Sequence, residues 1–361
     1  MRAELSGYSV LFILPPFEKE HKITPPLAIG YLAAMLEKYG ASCFFIDAIR
    51  DRLTTEEVIS RVKQINPNLV GITLLTPMYF TARDIARKLL SAGFEVVLGG
   101  PHASALPVQT MRDIGAGYLV IGEGEITLTE LCRSLSSKAA SNLSEIDGLV
   151  YYKDDKLTIN RPRTLIDDVD EIPFPSRRHF PPSEYPFSPQ GTLAQKFPLA
   201  CVLTSRGCPC KCTFCSSNVI WQRRFRERSP RSIVDEIESL IDQFGVKEIH
   251  FVDDNLTLKK KHAMGICNEI ITRGLSFVWS CPNGVRIDTI DDALLFYMTK
   301  PVCYSPPFGI ESGNQDILDR ITKHLTVEQI EKIIALTKSM GMETRGFFIL
   351  GLPGDTRETI Q

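Results

Sequence analysis

The chain has 361 residues, with 41 Lys plus Arg against 43 Asp plus Glu, a formal charge of −2, and 43% hydrophobic and 23% charged residues. At roughly 150 residues per domain this is room for two to three packed cores, and the composition excludes a disordered chain, a collagen and a basic coat for nucleic acid. The longest apolar runs, Val10 to Leu14 and Leu69 to Leu75, fall far short of the ~20 residues that cross a bilayer, and no cleavage pattern follows the short apolar stretch after Arg2, so the expectation is a cytoplasmic chain without an integral membrane segment or signal peptide.

Apolar runs then alternate with helical stretches. Val10 to Leu14, Cys43 to Ile46, Leu69 to Leu74, Glu95 to Leu98 and Tyr118 to Ile121 read as strands, with helices between and after them from Leu27 to Tyr39 through Thr127 to Leu135. Thr54 and Glu57 have the capping-box spacing, in which each side chain satisfies the other's free backbone N–H. Five apolar, β-branched runs separated by helices predict a parallel sheet covered on both faces, a doubly wound (Rossmann-like) α/β domain over residues 6–138. Glycines follow the strands, Gly99-Gly100 after the fourth and Gly122-Glu123-Gly124-Glu125 after the fifth, where open parallel sheets bind ligands. Tight turns are the plain alternative. The first strand runs into Pro15-Pro16-Phe17, so the dinucleotide fingerprint G-x-G-x-x-G is absent.

Residues 139–195 break this rhythm. Gly148 to Tyr152 and Lys156 to Ile159 read as a hairpin around Asp154-Asp155, and the prolines from Pro173 to Pro189 read as an extended connector. Over residues 196–361 the alternation resumes, with strands at Leu199 to Thr204, Glu248 to Val252, Ser276 to Cys281, Cys303 to Phe308 and Thr344 to Leu350. Ser229-Pro230 and Thr326 with Gln329 mark two helix starts. Five β/α units make a partial barrel; an open sheet edge exposes backbone donors and acceptors, so the sequence reads as a C-terminally truncated piece of a longer protein. Pro306-Pro307 puts the fourth of these strands in doubt, because proline cannot donate to a central ladder. Arg223 to Arg228 is read as a solvated basic run rather than a nucleic-acid contact.

Six of the ten cysteines are scattered singly; four lie in the segment Thr204-Ser205-Arg206-Gly207-Cys208-Pro209-Cys210-Lys211-Cys212-Thr213-Phe214-Cys215. Cys208, Cys212 and Cys215 have the spacing CxxxCxxC, which places three thiolates on three corners of an iron–sulfur cubane and leaves one iron open. The segment follows the first barrel strand, on the face where (β/α) barrels carry their chemistry. Structural zinc on all four thiols is the competing reading, and Cys210 is taken as a spectator.

This segment resembles the cluster loop of the radical S-adenosylmethionine (radical SAM) superfamily. The resemblance implies a 4Fe–4S cluster on Cys208, Cys212 and Cys215, and S-adenosyl-L-methionine near Phe214, Asp253-Asp254-Asn255, Glu311-Ser312 and Gly351, the last in a Gly351-Leu352-Pro353-Gly354-Asp355 turn with Asp where the family has Glu. The N-terminal domain is similar to the cobalamin-binding domain of the cobalamin-dependent branch, which implies cobalamin at Thr73, Leu75, Gly99, Gly100, Gly122, Glu123 and Gly124. The stretch Lys19 to Thr24 departs from the D-x-H-x-x-G of methionine synthase; His21 stands without the Asp and the Gly, which implies cobalamin with no histidine on its lower face. The resemblance further implies cleavage of S-adenosylmethionine to a 5′-deoxyadenosyl radical, methyl transfer to an unactivated carbon of a small-molecule substrate, and a low-potential flavodoxin- or ferredoxin-type electron donor. The alternatives are a ring-closing enzyme like the anaerobic magnesium-protoporphyrin IX monomethyl ester cyclase, and a fragment that binds cobalamin and cluster without catalysis.

Overall fold

The computed structural model describes residues 4–17, 24–137, 142–185 and 194–360. His21 and most of the stretch around it lie outside the described residues. Two compact units divide the chain: one runs to Ile166 and takes back Glu171–Pro181, the other holds Asp167–Asp170 and the chain from Pro182.

The first unit is built on β1 (Ser9–Leu14), β2 (Ser42–Asp47), β3 (Leu69–Thr73), β4 (Val96–Gly99), β5 (Tyr118–Val120), β6 (Leu149–Lys153) and β7 (Lys156–Ile159), in the spatial order β2-β1-β3-β4-β5-β6-β7. β1 to β5 are parallel. Successive side chains of a strand point to opposite faces, so a sheet covered on both sides needs runs that are apolar throughout. Leu11, Ile13, Val70 and Ile72 pack on one face against Val58, Val62, Ile85 and Leu89 of helices Thr55–Ile65 and Tyr79–Ser91. Val10, Phe12, Leu69 and Val97 pack on the other against Ile29, Leu36, Leu128 and Leu131 of helices Leu27–Lys38 and Glu125–Ser136. The Thr54–Glu57 capping box is formed.

The predicted hairpin exists, but it extends this sheet. β6 pairs antiparallel with β5, Leu119 opposite Val150, and β7 pairs with β6. Asp154 and Asp155 have φ of 49° and 60°, the left-handed pair of a two-residue turn that matches strand twist. Covering the β5 edge removes a row of unpaired backbone groups.

The second unit contains β8 (Leu199–Val202), β9 (Ser205–Arg206), β10 (Arg226–Glu227), β11 (Glu248–Phe251), β12 (Val278–Ser280), β13 (Cys303–Ser305), β14 (Phe308–Glu311) and β15 (Gly346–Phe348). Four parallel strands lie in the order β13-β12-β11-β8; β14 and β15 form a separate parallel pair, and β9 and β10 an antiparallel one. Val202, Ile249, Phe251 and Trp279 face Ile233, Ile237, Ile266 and Ile270 on helices Pro230–Phe244 and Lys260–Thr272. The doubted strand is split at Pro306-Pro307: β13 stays with β12, and β14 turns to β15. The Val285 N–H meets the Pro307 carbonyl at 2.8 Å and the Gly309 N–H meets the Val285 carbonyl at 3.1 Å, holding the start of β14. The basic run is solvated only in part: Arg224 is exposed, but Arg226 and Arg228 are buried, Arg226 beside the Trp221 ring and Arg228 2.5 Å from Glu236.

Candidate cofactor sites

In the first unit the residues expected to meet cobalamin stand at the carboxyl ends of three adjacent strands, β3, β4 and β5. Thr73 and Leu75 are half-buried. Gly100 has φ +98° and ψ 179°, a conformation essentially reserved for glycine. A Cβ there would lie 2.9 Å from both the Leu74 carbonyl and Thr73 Oγ1, whereas a Cβ on Gly99 would enter open space. Ser104, which the sequence did not single out, accepts the Gly122 N–H at 2.9 Å and so ties the β4 loop to the β5 loop. His102 was missed as well; its Nδ1 lies 3.1 Å from Thr76 Oγ1 and its ring packs 4.4 Å from Tyr79. Glu123 is buried and accepts the Ile166 N–H at 3.0 Å, and Gly124 precedes helix Glu125–Ser136 as its N-cap.

In the second unit the cysteine loop leaves β8 through β9. Gly207 has φ +85°, and a Cβ there would collide with the Arg224 carbonyl. Further along, the loop is pinned by one segment: the Thr213 N–H donates to the Ile321 carbonyl at 3.1 Å, and Thr322 Oγ1 donates to the Lys211 carbonyl at 2.6 Å. Cys212 is buried, Cys208 and Cys210 are half-buried and Cys215 is exposed. The Cys208 and Cys210 side chains hydrogen-bond to each other. Among the described residues no three His, Cys, Asp or Glu side chains converge on one point as a single-ion site requires; a cubane takes each thiolate at a separate corner.

The β11 loop supplies the polar wall. Asp253 Oδ1 accepts from the backbone N–H and the hydroxyl of both Thr204 and Ser205, at 2.5–3.1 Å, which anchors the start of the cysteine loop. His262 Nε2 stands 3.1 Å from Thr204 Oγ1 behind it. Asp253 Oδ2 and Asn255 Nδ2 are buried without partners. Asn255 Oδ1 accepts from Thr257 Oγ1 at 3.1 Å and from the Arg286 N–H at 3.4 Å, which leaves the amide donor unused. Asp254 is exposed and accepts from Ser217 Oγ at 3.2 Å.

Two buried cations that the sequence did not flag complete this end of the unit. Arg286 Nη1 donates to Cys212 Sγ at 3.4 Å. Lys323 Nζ lies 2.7 Å from Glu311 Oε1 and 5.8 Å from the centre of the Phe214 ring. Ser312 is buried and accepts the Asn314 N–H, while the Gly351 and Leu352 N–H groups donate to Asp355 at 2.9 and 2.8 Å, so the shorter acid still closes its turn. Cations reached by folding from distant segments carry no local signature.

Residues 19–132 match the B12 binding domain and residues 202–361 the Radical SAM superfamily. An uncharacterized methyltransferase of Pyrococcus horikoshii is 36% identical over 98% of this chain and 76% of its own length. The chain belongs to the cobalamin-binding radical SAM family. Two further relatives of this radical SAM chain are the cytidylyl-2-hydroxyethylphosphonate methyltransferase of Streptomyces wedmorensis, 28% identical over 94% of the chain and 72% of that protein, and the anaerobic magnesium-protoporphyrin IX monomethyl ester cyclase of Cereibacter sphaeroides, 30% identical over 93% and 55%. The fold is shared with the cobalamin-dependent S-adenosylmethionine radical enzyme OxsB solved with aqua-cobalamin and S-adenosylmethionine (TM-score 0.79, 22% identity, 96% of this chain), of which the chain spans half the length. It is shared equally with the methyltransferase TsrM from Kitasatospora setae solved with cobalamin and a 4Fe–4S cluster (TM-score 0.79, 22% identity, 98% of this chain and 69% of that one). No described helix is long and apolar enough to cross a membrane.

The residues present fit the family's cofactors. Three thiols in one pinned loop suit a cluster with an open iron. The unpartnered Asp253 Oδ2 is an acceptor and the unpartnered Asn255 Nδ2 a donor, the pair that the ammonium and carboxylate of a bound methionine group require; a buried polar atom without a partner costs roughly 1–3 kcal/mol, which a ligand would relieve. The open space at Gly99 leaves room for a large ligand at the strand ends.

Proposed function

We propose that this chain catalyses radical methylation of an unactivated carbon in a small molecule, with S-adenosylmethionine as the source of both the radical and the methyl group. The observation that carries the reading is the pinned three-cysteine loop beside two buried, unpartnered polar atoms, in a chain whose other unit is a B12-binding fold. When bound, the reduced cluster supplies the electron that cleaves S-adenosylmethionine to methionine and a 5′-deoxyadenosyl radical, and cobalamin carries the methyl group. Cys208, Cys212 and Cys215 hold the cluster. Asp253, Asp254 and Asn255 orient the methionine group, Phe214 lines the adenine side, and Glu311, Ser312 and Gly351 bound the ribose side. Thr73, Leu75, Gly99, Gly100, Gly122, Glu123 and Gly124 shape the cobalamin site. The cofactors carry the hard chemistry, and the protein's task is to bind, orient and exclude water. We place this work in the cytoplasm with a flavodoxin- or ferredoxin-type donor; ten free cysteines agree with a reducing compartment.

The 30% identity to the magnesium-protoporphyrin cyclase supports a second reading, oxidative ring closure. Anaerobic reconstitution with iron, sulfide and hydroxocobalamin, followed by product analysis with methyl-deuterated S-adenosylmethionine, separates the two. Methyl transfer yields S-adenosylhomocysteine along with 5′-deoxyadenosine. Ring closure yields 5′-deoxyadenosine without S-adenosylhomocysteine, and neither product leaves a binding protein.

A further inference from the structure

Arg286 is the one side chain in the described structure that donates a charged hydrogen bond to a thiol of the cysteine loop. It is 8% exposed. Its Nε and Nη2 form a two-pronged pair with Asp288 at 2.9 and 2.7 Å, and Nη2 also donates to the Lys323 carbonyl at 2.6 Å. Those bonds fix the plane of the guanidinium and leave Nη1 aimed at Cys212 Sγ. The site thus holds a permanent positive charge at one sulfur, on a group that does not deprotonate in proteins.

We propose that Arg286 acts through Cys212 as a positioning residue that raises the reduction potential of the cluster. The inference rests on the cluster assignment under Proposed function. Reduction adds negative charge that spreads onto the thiolate sulfurs, so a charge-assisted N–H···S bond stabilises the reduced form more than the oxidised one. Burial strengthens the effect, because water does not screen it. Asp288 offsets part of the charge and sets the fork. The bond is absent from the sequence signal because residues 212 and 286 meet only through folding.

The test uses the reconstituted full chain as wild type, Arg286→Gln and Arg286→Lys. Iron content is measured first, and then the midpoint potential by electron paramagnetic resonance during anaerobic redox titration. The expected result is the same iron content in all three, a potential shifted to more negative values in Arg286→Gln, and an intermediate potential in Arg286→Lys, which keeps the charge but loses the fork. An unmoved potential with an intact cluster overturns the proposal. So does loss of iron from both variants, which would make Arg286 a folding residue. Wild type without iron defeats the cluster reading itself, a result distinct from either.

Discussion

Lys323 and Glu311 form an ion pair of 2.7 Å whose side chains are 5% and 9% exposed. Glu311 sits at φ +68° at the end of β14, and Gly309 leaves the room for the pair, since a Cβ there would stand 2.8 Å from Glu311 Oε1. Removing one member of such a pair leaves a buried charge uncompensated, at about 3–5 kcal/mol, whereas replacing both with apolar groups is far milder. Lys323→Met is therefore expected to lower the urea midpoint strongly, and Lys323→Met with Glu311→Leu to recover much of the loss. A double variant no more stable than the single one would contradict this.

The ligand set gives a cysteine series. Cys208→Ala, Cys212→Ala and Cys215→Ala should each lose bound iron on anaerobic reconstitution, while Cys210→Ala should retain about four irons per chain. Iron and zinc analysis with visible absorption reads the outcome; an iron-free Cys210 variant would reassign the loop.

Two neighbouring glycines should part company. Gly100→Ala forces a side chain into a glycine-only conformation and against the Leu74 carbonyl, a loss on the order of 1–3 kcal/mol. Gly99→Ala meets nothing in the protein, so its fold should be unchanged while cobalamin affinity, followed by absorbance titration, falls.

Asp253 predicts a pH effect of definite sign. Burial pushes its carboxyl up to about 6 against the hydrogen bonds from Ser205 and Thr204. The native state then holds this proton more tightly than the unfolded chain does, so the contribution of Asp253 to stability grows as pH falls from about 6 towards 4, and above 6 it is a constant deficit on the order of 3 kcal/mol. Urea unfolding of wild type and Asp253→Asn across that window should show a wild-type slope that the variant lacks. Parallel curves would refute it.

The sequence announced what local chemistry determines. The strands showed as apolar runs because both faces of the first sheet are buried, the capping boxes at Thr54 and Thr326 formed as spaced, and the cysteine loop stood where its spacing and its strand placed it. What remained hidden depends on long-range pairing. The hairpin at Asp154 joined a sheet whose edge lies thirty residues earlier, which no periodicity reports. Asp253, read as a ligand group, also spends one oxygen holding Thr204 and Ser205, and Arg286 and Lys323 reach Cys212 and Glu311 only through folding.

The split at Pro306-Pro307 gives Val285 an unusual office. Two prolines in a row offer carbonyls but no amides, so the chain there can receive and never give. Val285 belongs to no strand, yet its amide and carbonyl grip the chain on either side of Phe308, where β14 begins. A proline at position 285 would remove the N–H that holds the Pro307 carbonyl, so one backbone amide outside any strand fastens the start of β14.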